Sequence, residues 1–564
     1  MKRFKGKQLF LLIVIFSLLL VSACSNKTNE EEAADTSIPE GPVDTWEKYE
    51  EPVTVSIARP IDSSIKFIDG ESWENNTYTQ AYNEEFNMEL KYEFMVNSDQ
   101  YSEKMNVAIA SGDLPDIMTV DGSQLKQLVE SDLVEDLTDY YDKYATPLLK
   151  EVLNSDGGVG LKNGTFDGKI MAISNTVDVT PNTLMYIRQD WLDNLGLEAP
   201  KTLQDVFAIA EAFTFDDPDG NGKDDTFGIG LEKYLFGGLF DADGIANGFH
   251  AYPKIWIEDD NGQLGYGSIQ PEMKPFLAKL QELFKKGVID KEFSVKDGGT
   301  VGQDAAAGKV GIDFGANWNP IWPLVDTLRN NPEAIWKAYP IMSIDDEPAK
   351  PQINPSVNKY YVVKKGAKHP EAIFKIANHY VRTHSDDSRS DEQKLEDFNK
   401  FQETYIDGVK YETFKFAPIQ EINDQQNGNL QFYREINEAL KNDDPSGLSI
   451  VAKENMKQVK AWIDNKDINS WGMASVFGPE SSLNVIDENY VKNDLVMTNA
   501  FTGLATPTQV RKGTILNDKE LEVFTKIIMG EPVDETFDKF VEDWKKLGGE
   551  DLTKEVNEWY EKNK

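Results

Sequence analysis

Cysteine is almost absent from this chain of 564 residues, in which Cys24 is the single one. An internal disulfide needs two thiols, so no disulfide framework can hold the fold together. Histidine is also rare, with four residues, and they form no His-Glu-x-x-His string. We therefore expect no transition-metal site.

Positive charge is scarce as well, with 58 Lys and Arg residues against 97 Asp and Glu residues and a formal net charge of -39. Such a field repels a polyanion, and no cluster of basic residues interleaved with aromatic residues reverses the sign locally. Nucleic acid is therefore excluded as a partner. The simplest role of the acidic surface is solubility.

The first 23 residues have the pattern of an export signal. Basic residues at positions 2, 3, 5 and 7 precede an apolar run of 15 residues over 9–23, which is shorter than the ~20 residues of a membrane-spanning helix. Cys24 follows directly in the string Leu-Val-Ser-Ala-Cys, which resembles the lipobox of bacterial lipoproteins. We predict a signal peptide over 1–23, lipidation of Cys24 and a flexible tether over 24–48. The alternative is a soluble exported protein with an incidental thiol.

The body alternates strand-like and helix-like patterns. Residues 53–57 and 115–120 have the β-branched and apolar character of strands, and the helical pattern over 101–111 stops at Gly112. Strands that alternate with helices predict parallel βαβ units, in which ligands bind beyond the carboxyl ends of the strands. The loops after these strands, residues 59–76, 97–100 and 121–123, should therefore border a cleft.

A second α/β unit begins near Leu184. Its helix is predicted to start at Thr202, with Asp205 at the spacing of a capping box. A chain of this length exceeds the usual domain size of about 100 to 200 residues. Two α/β units in succession favour two lobes with a binding cleft between them.

The strongest metal-binding pattern lies at residues 217–225. Oxygen-bearing side chains recur at every second position, a main-chain carbonyl is available at Lys223, and Gly222 stands where the chain must turn. Gly228 replaces the bidentate Glu of a complete loop. We expect structural Ca²⁺ here, and the alternative is an acidic turn. The predicted ligands are Asp217, Asp219, Asn221, Lys223 and Asp225.

Sugar sites combine flat aromatic rings with polar side chains that bind hydroxyl groups. Tryptophan beside polar residues occurs in four places, which supply the predicted substrate-binding residues Trp73, Asn76, Arg188, Asp190, Asn317, Trp318, Trp322, Trp471 and Glu480. Trp318 is the preferred stacking residue because a Gly-Ala-Asn stretch precedes it. Single tryptophans are more often core residues, and we assign Trp191 to packing. A polysaccharide-acting enzyme would carry similar aromatics with a carboxylate pair.

Several strings together resemble the family 1 extracellular solute-binding proteins, and in particular their large lipoprotein branch. They are residues 109–117 (IASGDLPDI), 186–192 (YIRQDWL), the acidic loop 217–225, 501–503 (FTG) with 506–508 (TPT), and 555–560 (EVNEWY). The resemblance runs from about residue 50 to 560.

The resemblance implies an α/β, two-lobed, type II periplasmic-binding-protein-like fold with a ligand cleft between the lobes. The N-terminal lobe would comprise residues 49–180 and about 350–440, and the C-terminal lobe 181–349 and about 441–564. It further implies hinge closure on an oligosaccharide, docking to the permease subunits of an ABC-type importer, and sugar contacts at Trp73, Trp318 and Trp471. Relatives carry an acidic residue where this chain has Thr226, which we include in the predicted metal set.

We therefore expect a non-enzymatic, monomeric receptor, anchored by lipid to the outer face of the cell membrane. The alternatives are a secreted polysaccharide-acting enzyme and a lipoprotein that binds peptides. Cleavage of candidate glycans would distinguish the enzyme from a receptor. Extended-peptide sites depend on exposed main-chain groups more than on aromatic platforms, so a comparison of glycans with peptides as ligands distinguishes the sugar receptor from the peptide-binding lipoprotein.

Overall fold

The structure is a computed structural model that describes residues 41–563 except 62–64, 178, 356, 387, 407–408 and 424–427. The predicted signal peptide, Cys24 and most of the predicted tether lie outside the described residues. Within these ranges, no helix is both long and apolar enough to cross a membrane. From Gly41 onward the chain forms one compact unit.

The strands, in chain order, are β1 Val53–Ile61, β2 Met88–Asn97, β3 Ile117–Val120, β4 Thr165–Phe166, β5 Lys169–Ile170, β6 Ile173–Ser174, β7 Thr183–Arg188, β8 Phe227–Ile229, β9 Trp256–Glu258, β10 Leu264–Tyr266, β11 Val310–Ala316, β12 Trp336–Tyr339, β13 Gln352–Ile353, β14 Tyr360–Val363, β15 Thr404–Ile406, β16 Val409–Tyr411 and β17 Met497–Thr498.

The helices are α1 Thr77–Phe86, α2 Ser98–Ser111, α3 Gly122–Glu130, α4 Thr138–Tyr144, α5 Pro147–Asn154, α6 Val159–Asn163, α7 Gln189–Leu195, α8 Leu203–Phe215, α9 Asp243–Gly248, α10 Met273–Lys286, α11 Gly298–Ala306, α12 Val325–Asn330, α13 Ala372–Ser385, α14 Asp391–Asp397, α15 Asn429–Asn442, α16 Ile450–Asn465, α17 Ile468–Phe477, α18 Ser482–Asn489, α19 Pro507–Ile528, α20 Val533–Trp544 and α21 Glu550–Asn563.

The first lobe is built on a five-stranded sheet in the order β2-β1-β3-β14-β6. Strand β1 runs parallel to β2 and β3, which confirms the predicted parallel βαβ units. The later strand β14 enters antiparallel beside β3. Helices α2 and α3 cover this sheet and bury Met105 and Leu125 against Met118 of β3.

The second lobe is built on a four-stranded sheet in the order β12-β7-β11-β8. Strand β11 lies in the middle of this sheet, antiparallel to β7 and parallel to β8. The predicted helix after β7 is present as α8, and both halves of its capping box at Thr202 and Asp205 are formed. Two α/β lobes around two sheets confirm the predicted fold class.

The C-terminal helices join the core of the second lobe. Phe524 of α19 and Trp544 of α20 are buried in the same apolar cluster as Phe314 of β11. Helix α15 also packs there through Ile436, although the sequence placed residues up to about 440 in the first lobe. The lobe boundaries as a whole stay a prediction.

Short crossing segments connect the two lobes. One of them leads from β12 to β14 and carries β13, which pairs in parallel with β17, from the stretch between α18 and α19, to form a short ribbon. The Asn499 amide donates to the side-chain oxygen of Asn354 at 2.6 Å and adds a side-chain bond between them.

Packing of the body begins inside the segment that the sequence assigned to the tether. Thr45 is buried, and Lys375 Nζ donates to its carbonyl oxygen at 2.8 Å. The ring centroids of Trp46 and Phe86 are 6.1 Å apart, and the Arg382 guanidinium lies 4.4 Å from the centroid of the Trp46 ring. Residues 45 and 46 are therefore held on the first lobe.

Candidate functional site

A cavity of about 800 Å³ is bordered by residues of both lobes. Trp318 borders it from the loop after β11 of the second lobe, and Asn175 and Thr176 border it from the loop after β6 of the first. Asn354 and Asn358 line it from a crossing segment. The cavity therefore touches both lobes and the segments between them, as a clamping site requires.

Trp318 is 49% exposed although its neighbours are buried. The carbonyl oxygen of Asn317 accepts a hydrogen bond from Ser482 Oγ at 2.8 Å. On the other side, Asn319 Nδ2 donates to the carbonyl oxygen of Leu239 at 2.7 Å. Because both flanking residues are held by hydrogen bonds, the Trp318 indole is presented on a rigid base. Asn317 contributes its main-chain carbonyl to this base, and its predicted contact with a sugar stays a prediction.

A buried carboxyl group lies beneath this loop. Asp313, on the central strand β11, accepts a hydrogen bond from Asn319 Nδ2 at 2.9 Å, and neither side chain is exposed. Burial raises the pKa of Asp313 to about 8, the hydrogen bond from Asn319 opposes this rise, and Glu232 adds to it. Gly315 leaves room for the pair, since a Cβ there would lie 2.2 Å from Asn319 Nδ2.

A smaller cavity of about 190 Å³ adjoins the ends of β1 and β3. Arg59 borders it, and its guanidinium donates to the carbonyl oxygens of Lys415, Phe416 and Ala417. Arg59 thus pins a distant segment to the end of β1. Because Arg59 lies within β1, the expectation that the loops at residues 59–76, 97–100 and 121–123 border the cleft stays a prediction.

Trp73 belongs to an aromatic cluster beside this smaller cavity. Phe67 and Phe416 stack with ring centroids 5.0 Å apart, and the Trp73 ring meets Phe67 edge-on at 5.2 Å. The Arg59 guanidinium lies 5.1 Å from the Trp73 centroid. Trp73 is half-buried, so its predicted sugar contact stays a prediction.

Three predicted substrate contacts have structural roles instead. Asn76 is buried and caps α1, accepting from the main-chain nitrogens of Tyr78 and Thr79. Arg188 is buried and forms a two-pronged pair with Asp190, at 2.9 and 2.6 Å. These contacts lie within their own lobes, although Arg188 Nη1 has no hydrogen-bond partner among the described residues, and we reassign the three side chains from ligand contact to local structure.

Trp471 is 2% exposed and lies in the core of the second lobe. Helix α17 approaches the segment after Trp318 so closely that a Cβ on Gly472 would lie 2.8 Å from the Cα of Ile321. The assignment of Trp471 to sugar stacking is therefore wrong for this structure. Trp471 packs behind the segment that follows Trp318. Gly472, which has no side chain, permits α17 to approach that segment so closely.

Trp322 and Glu480 are accessible but lie outside the residues that border the two cavities. Trp322 is 50% exposed, four positions after Trp318. The Glu480 side chain is 85% exposed and lies 3.7 Å from Lys337 Nζ. Their predicted ligand contacts stay predictions. Trp191, assigned to packing, is fully buried and contacts the Phe213 ring edge-on at 5.3 Å.

The acidic loop folds around its own side chains. Asp217 Oδ2 accepts from the Gly222 nitrogen at 3.0 Å, and Asn221 Nδ2 donates to carboxylate oxygens of Asp219 and Asp225 at 2.7 and 3.1 Å. Among the described residues, no three His, Cys, Asp or Glu side chains already form a metal cage.

Thr226 is the exception in the predicted metal set. Its hydroxyl is buried and donates to the carbonyl oxygen of Phe213 at 2.7 Å. That bond ties the end of the loop back to α8. We therefore reassign Thr226 from metal ligand to loop anchor.

Sequence reasoning missed most of the polar residues that border the larger cavity. They are uncharged or paired side chains from distant segments, including Asn175, Asn354, Asn358, Arg382, Gln402, Glu421, Asn429 and Glu435. No local pattern marks them, because the fold alone brings residues 175–451 to one place. Asn76 could have been recognised, since the Asn-Thr-Tyr-Thr string at 76–79 has capping-box spacing.

Comparisons with known proteins agree with this architecture. The chain is 26% identical over 486 residues to the polygalacturonan/rhamnogalacturonan-binding protein YtcQ of Bacillus subtilis, covering 82% of this chain and 84% of that protein. It is 31% identical over 210 residues to the fructooligosaccharide ABC transporter substrate-binding protein FusA of Streptococcus pneumoniae, covering 34% of this chain and 38% of that protein.

The structure of S. pneumoniae FusA in complex with kestose superposes with a TM-score of 0.61 at 17% identity, covering 90% of this chain and 99% of that one. The family described as bacterial extracellular solute-binding protein matches residues 66–382, which is more than half of the chain. The two-lobed fold and this match together show that the chain belongs to the bacterial extracellular solute-binding proteins.

Proposed function

We propose that this protein captures an oligosaccharide between its two lobes and delivers it, unchanged, to an ABC-type importer. The observation that carries the proposal is the half-exposed indole of Trp318, fixed at the border of a cavity that both lobes line. An aromatic face covers the C–H face of a sugar, and the amide side chains around it suit hydroxyl groups. The names of YtcQ and FusA support a carbohydrate ligand.

Capture is proposed to occur by hinge closure. A ligand that contacts both lobes makes all of its contacts only when the lobes are closed, so it shifts the population toward that state. The paired segments β13 and β17 provide a connection that can bend while each sheet stays rigid.

The location follows from the family and from the N-terminal sequence. The family is extracellular, and we propose that Cys24 carries the lipid that anchors a monomeric receptor to the outer face of the cell membrane. The permease subunits of the importer are its proposed protein partners.

We also propose that the loop at residues 217–225 binds structural Ca²⁺. Asp217 Oδ1 is buried and accepts no hydrogen bond from any described residue, which suits a cation ligand. Carboxylate oxygens of Asp219 and Asp225 lie 2.7 and 3.1 Å from the Asn221 side-chain nitrogen, so the three side chains converge, and hard cations prefer carboxylate and amide oxygens. Lys223 would contribute its carbonyl oxygen.

The test compares oligosaccharides with peptides as ligands. Isothermal titration of the exported form against a panel of both should give heat with oligosaccharides only, and mass spectrometry after incubation should recover the sugar intact. Binding of peptides alone would favour the peptide-receptor alternative. Shortened sugar products that disappear when a cavity carboxylate is replaced would establish the enzyme alternative.

A further inference from the structure

Oligosaccharides include neutral chains and negatively charged uronic acid chains. The charged side chains around the larger cavity bear on which of the two kinds binds there. A uronic acid chain carries one negative charge per sugar and needs cations that are available to it. Arg382 borders the larger cavity, and its Nη2 donates to both carboxylate oxygens of Glu85 at 2.8 and 2.7 Å. Lys394 also borders this cavity and has a partner of its own. Lys359 borders the smaller cavity, and its Nζ lies 2.5 Å from Oε1 of Glu421, which borders both cavities.

Cations near the smaller cavity are engaged in the same way. Lys415 Nζ lies 2.7 Å from a carboxylate oxygen of Glu412. The Arg59 guanidinium is buried, and its donors point at main-chain carbonyl oxygens rather than at the open space. A carboxylate on the ligand would have to replace these partners and would approach Glu421 or Glu412 while doing so.

Glu435, at the larger cavity, is held by neutral donors. Glu435 accepts hydrogen bonds from the hydroxyl and main-chain nitrogen of Ser449 at 3.1 and 3.4 Å, and these donors are neutral. Like charges brought together at a binding site cost several kcal/mol and are a usual means of rejecting wrong partners. The side chains between these charges are amides and hydroxyls, which pair with sugar hydroxyl groups at no electrostatic cost.

We propose that the ligand is a neutral oligosaccharide and that the paired charges of the cavity reject uronic acid oligosaccharides. This inference rests on the proposed function. It separates this protein from the ligand class named for YtcQ and places it with the class named for FusA.

The first experiment is isothermal titration with matched probes that differ only in whether each carboxyl group is a charged free acid or a neutral methyl ester. Oligogalacturonate and its methyl ester have the same backbone, and neutral fructo-, galacto-, xylo- and malto-oligosaccharides complete the panel. We expect heat from one or more neutral probes, with an affinity that stays constant as salt rises, and at least about ten-fold weaker binding of the free acid than of a neutral probe.

Three results would be decisive. Neutral binding with rejection of the free acid supports the inference. Tighter binding of the free acid than of its ester, weakening as salt rises, would overturn the inference while leaving the proposed function intact. Heat from no glycan of either class would overturn the proposed function, and this inference with it.

The second experiment changes the charge of the cavity. Glu421→Gln keeps the shape of the side chain but leaves Lys359 without its carboxylate. The affinity for oligogalacturonate relative to its ester should rise about five-fold. Glu93→Gln is the matched control, because it leaves Lys91 without its carboxylate partner in the same way on β2, and neither residue borders the two cavities. An equal ratio in the parent and both variants would overturn the argument from paired charges.

Discussion

Replacement of Trp318 by Ala tests the aromatic platform directly. About half of the residue is exposed, and since a Trp side chain buries about 150 to 250 Å² when fully covered, about 75 to 125 Å² is available to a sugar ring. At about 25 cal/mol per Å², the lost contact is worth ~2 to 3 kcal/mol. An affinity about 30- to 150-fold weaker is therefore expected.

Isothermal titration with the best oligosaccharide of the panel measures this loss. Phe215→Ala is the control, because Phe215 is 54% exposed at the end of α8 and borders neither of the two cavities described above. Circular dichroism and thermal melting should show that both variants fold. An affinity within two-fold of the parent for Trp318→Ala would refute the stacking role.

Other parts of the account make separate predictions. Asn319→Leu should weaken oligosaccharide binding and lower the free energy of unfolding by about 1 to 3 kcal/mol, because Asp313 and the Leu239 carbonyl lose their buried donor; urea denaturation with stability equal to the parent would contradict this role. The pKa of Asp313 is raised to about 8 in the folded state, so its contribution to stability is greatest at low pH and is lost as pH rises toward 8. The free energy of unfolding of Asp313→Asn should therefore rise relative to that of the parent as pH increases from about 5 to 8.5. Parallel curves of this free energy against pH for the two proteins would contradict the role given to Asp313. Asp219→Ala should abolish the heat of Ca²⁺ binding to chelator-treated protein, whereas Asp260→Ala, in a turn outside the loop, should not; equal heats in both variants would remove the Ca²⁺ proposal.

Local signals predicted the architecture well. The strand at residues 53–57, the helix end at Gly112 and the capping box of Thr202 and Asp205 all depend on neighbours in the sequence, and all are present. A period of two or 3.6 residues reports which face of an element is apolar. That information is sufficient to recognise two α/β lobes.

The binding residues were harder to predict, because their role depends on exposure and on distant partners. Trp318 and Trp471 both lie beside glycine and polar residues in the sequence, yet one is half-exposed and the other buried. Their difference arises where α17 packs against the segment after Trp318. Arg188 similarly binds the carboxylate of Asp190, two residues away, and contacts two indole rings in its own lobe.

The charge pairs at the cavity could not be read from the sequence at all. Lys359 and Glu421 are 62 positions apart, and Arg382 and Glu85 are 297 positions apart. Only the folded chain shows that these ions are already matched. The inference about neutral sugars therefore depends on the structure rather than on composition.

Small-angle X-ray scattering with and without a bound oligosaccharide tests the central claim, which is that two lobes close on a sugar and release it intact. The account predicts a smaller radius of gyration at saturating sugar, restoration of the original curve after dialysis, and recovery of the unaltered sugar. Identical scattering curves at saturation, or a cleaved sugar in the recovered solution, would contradict it.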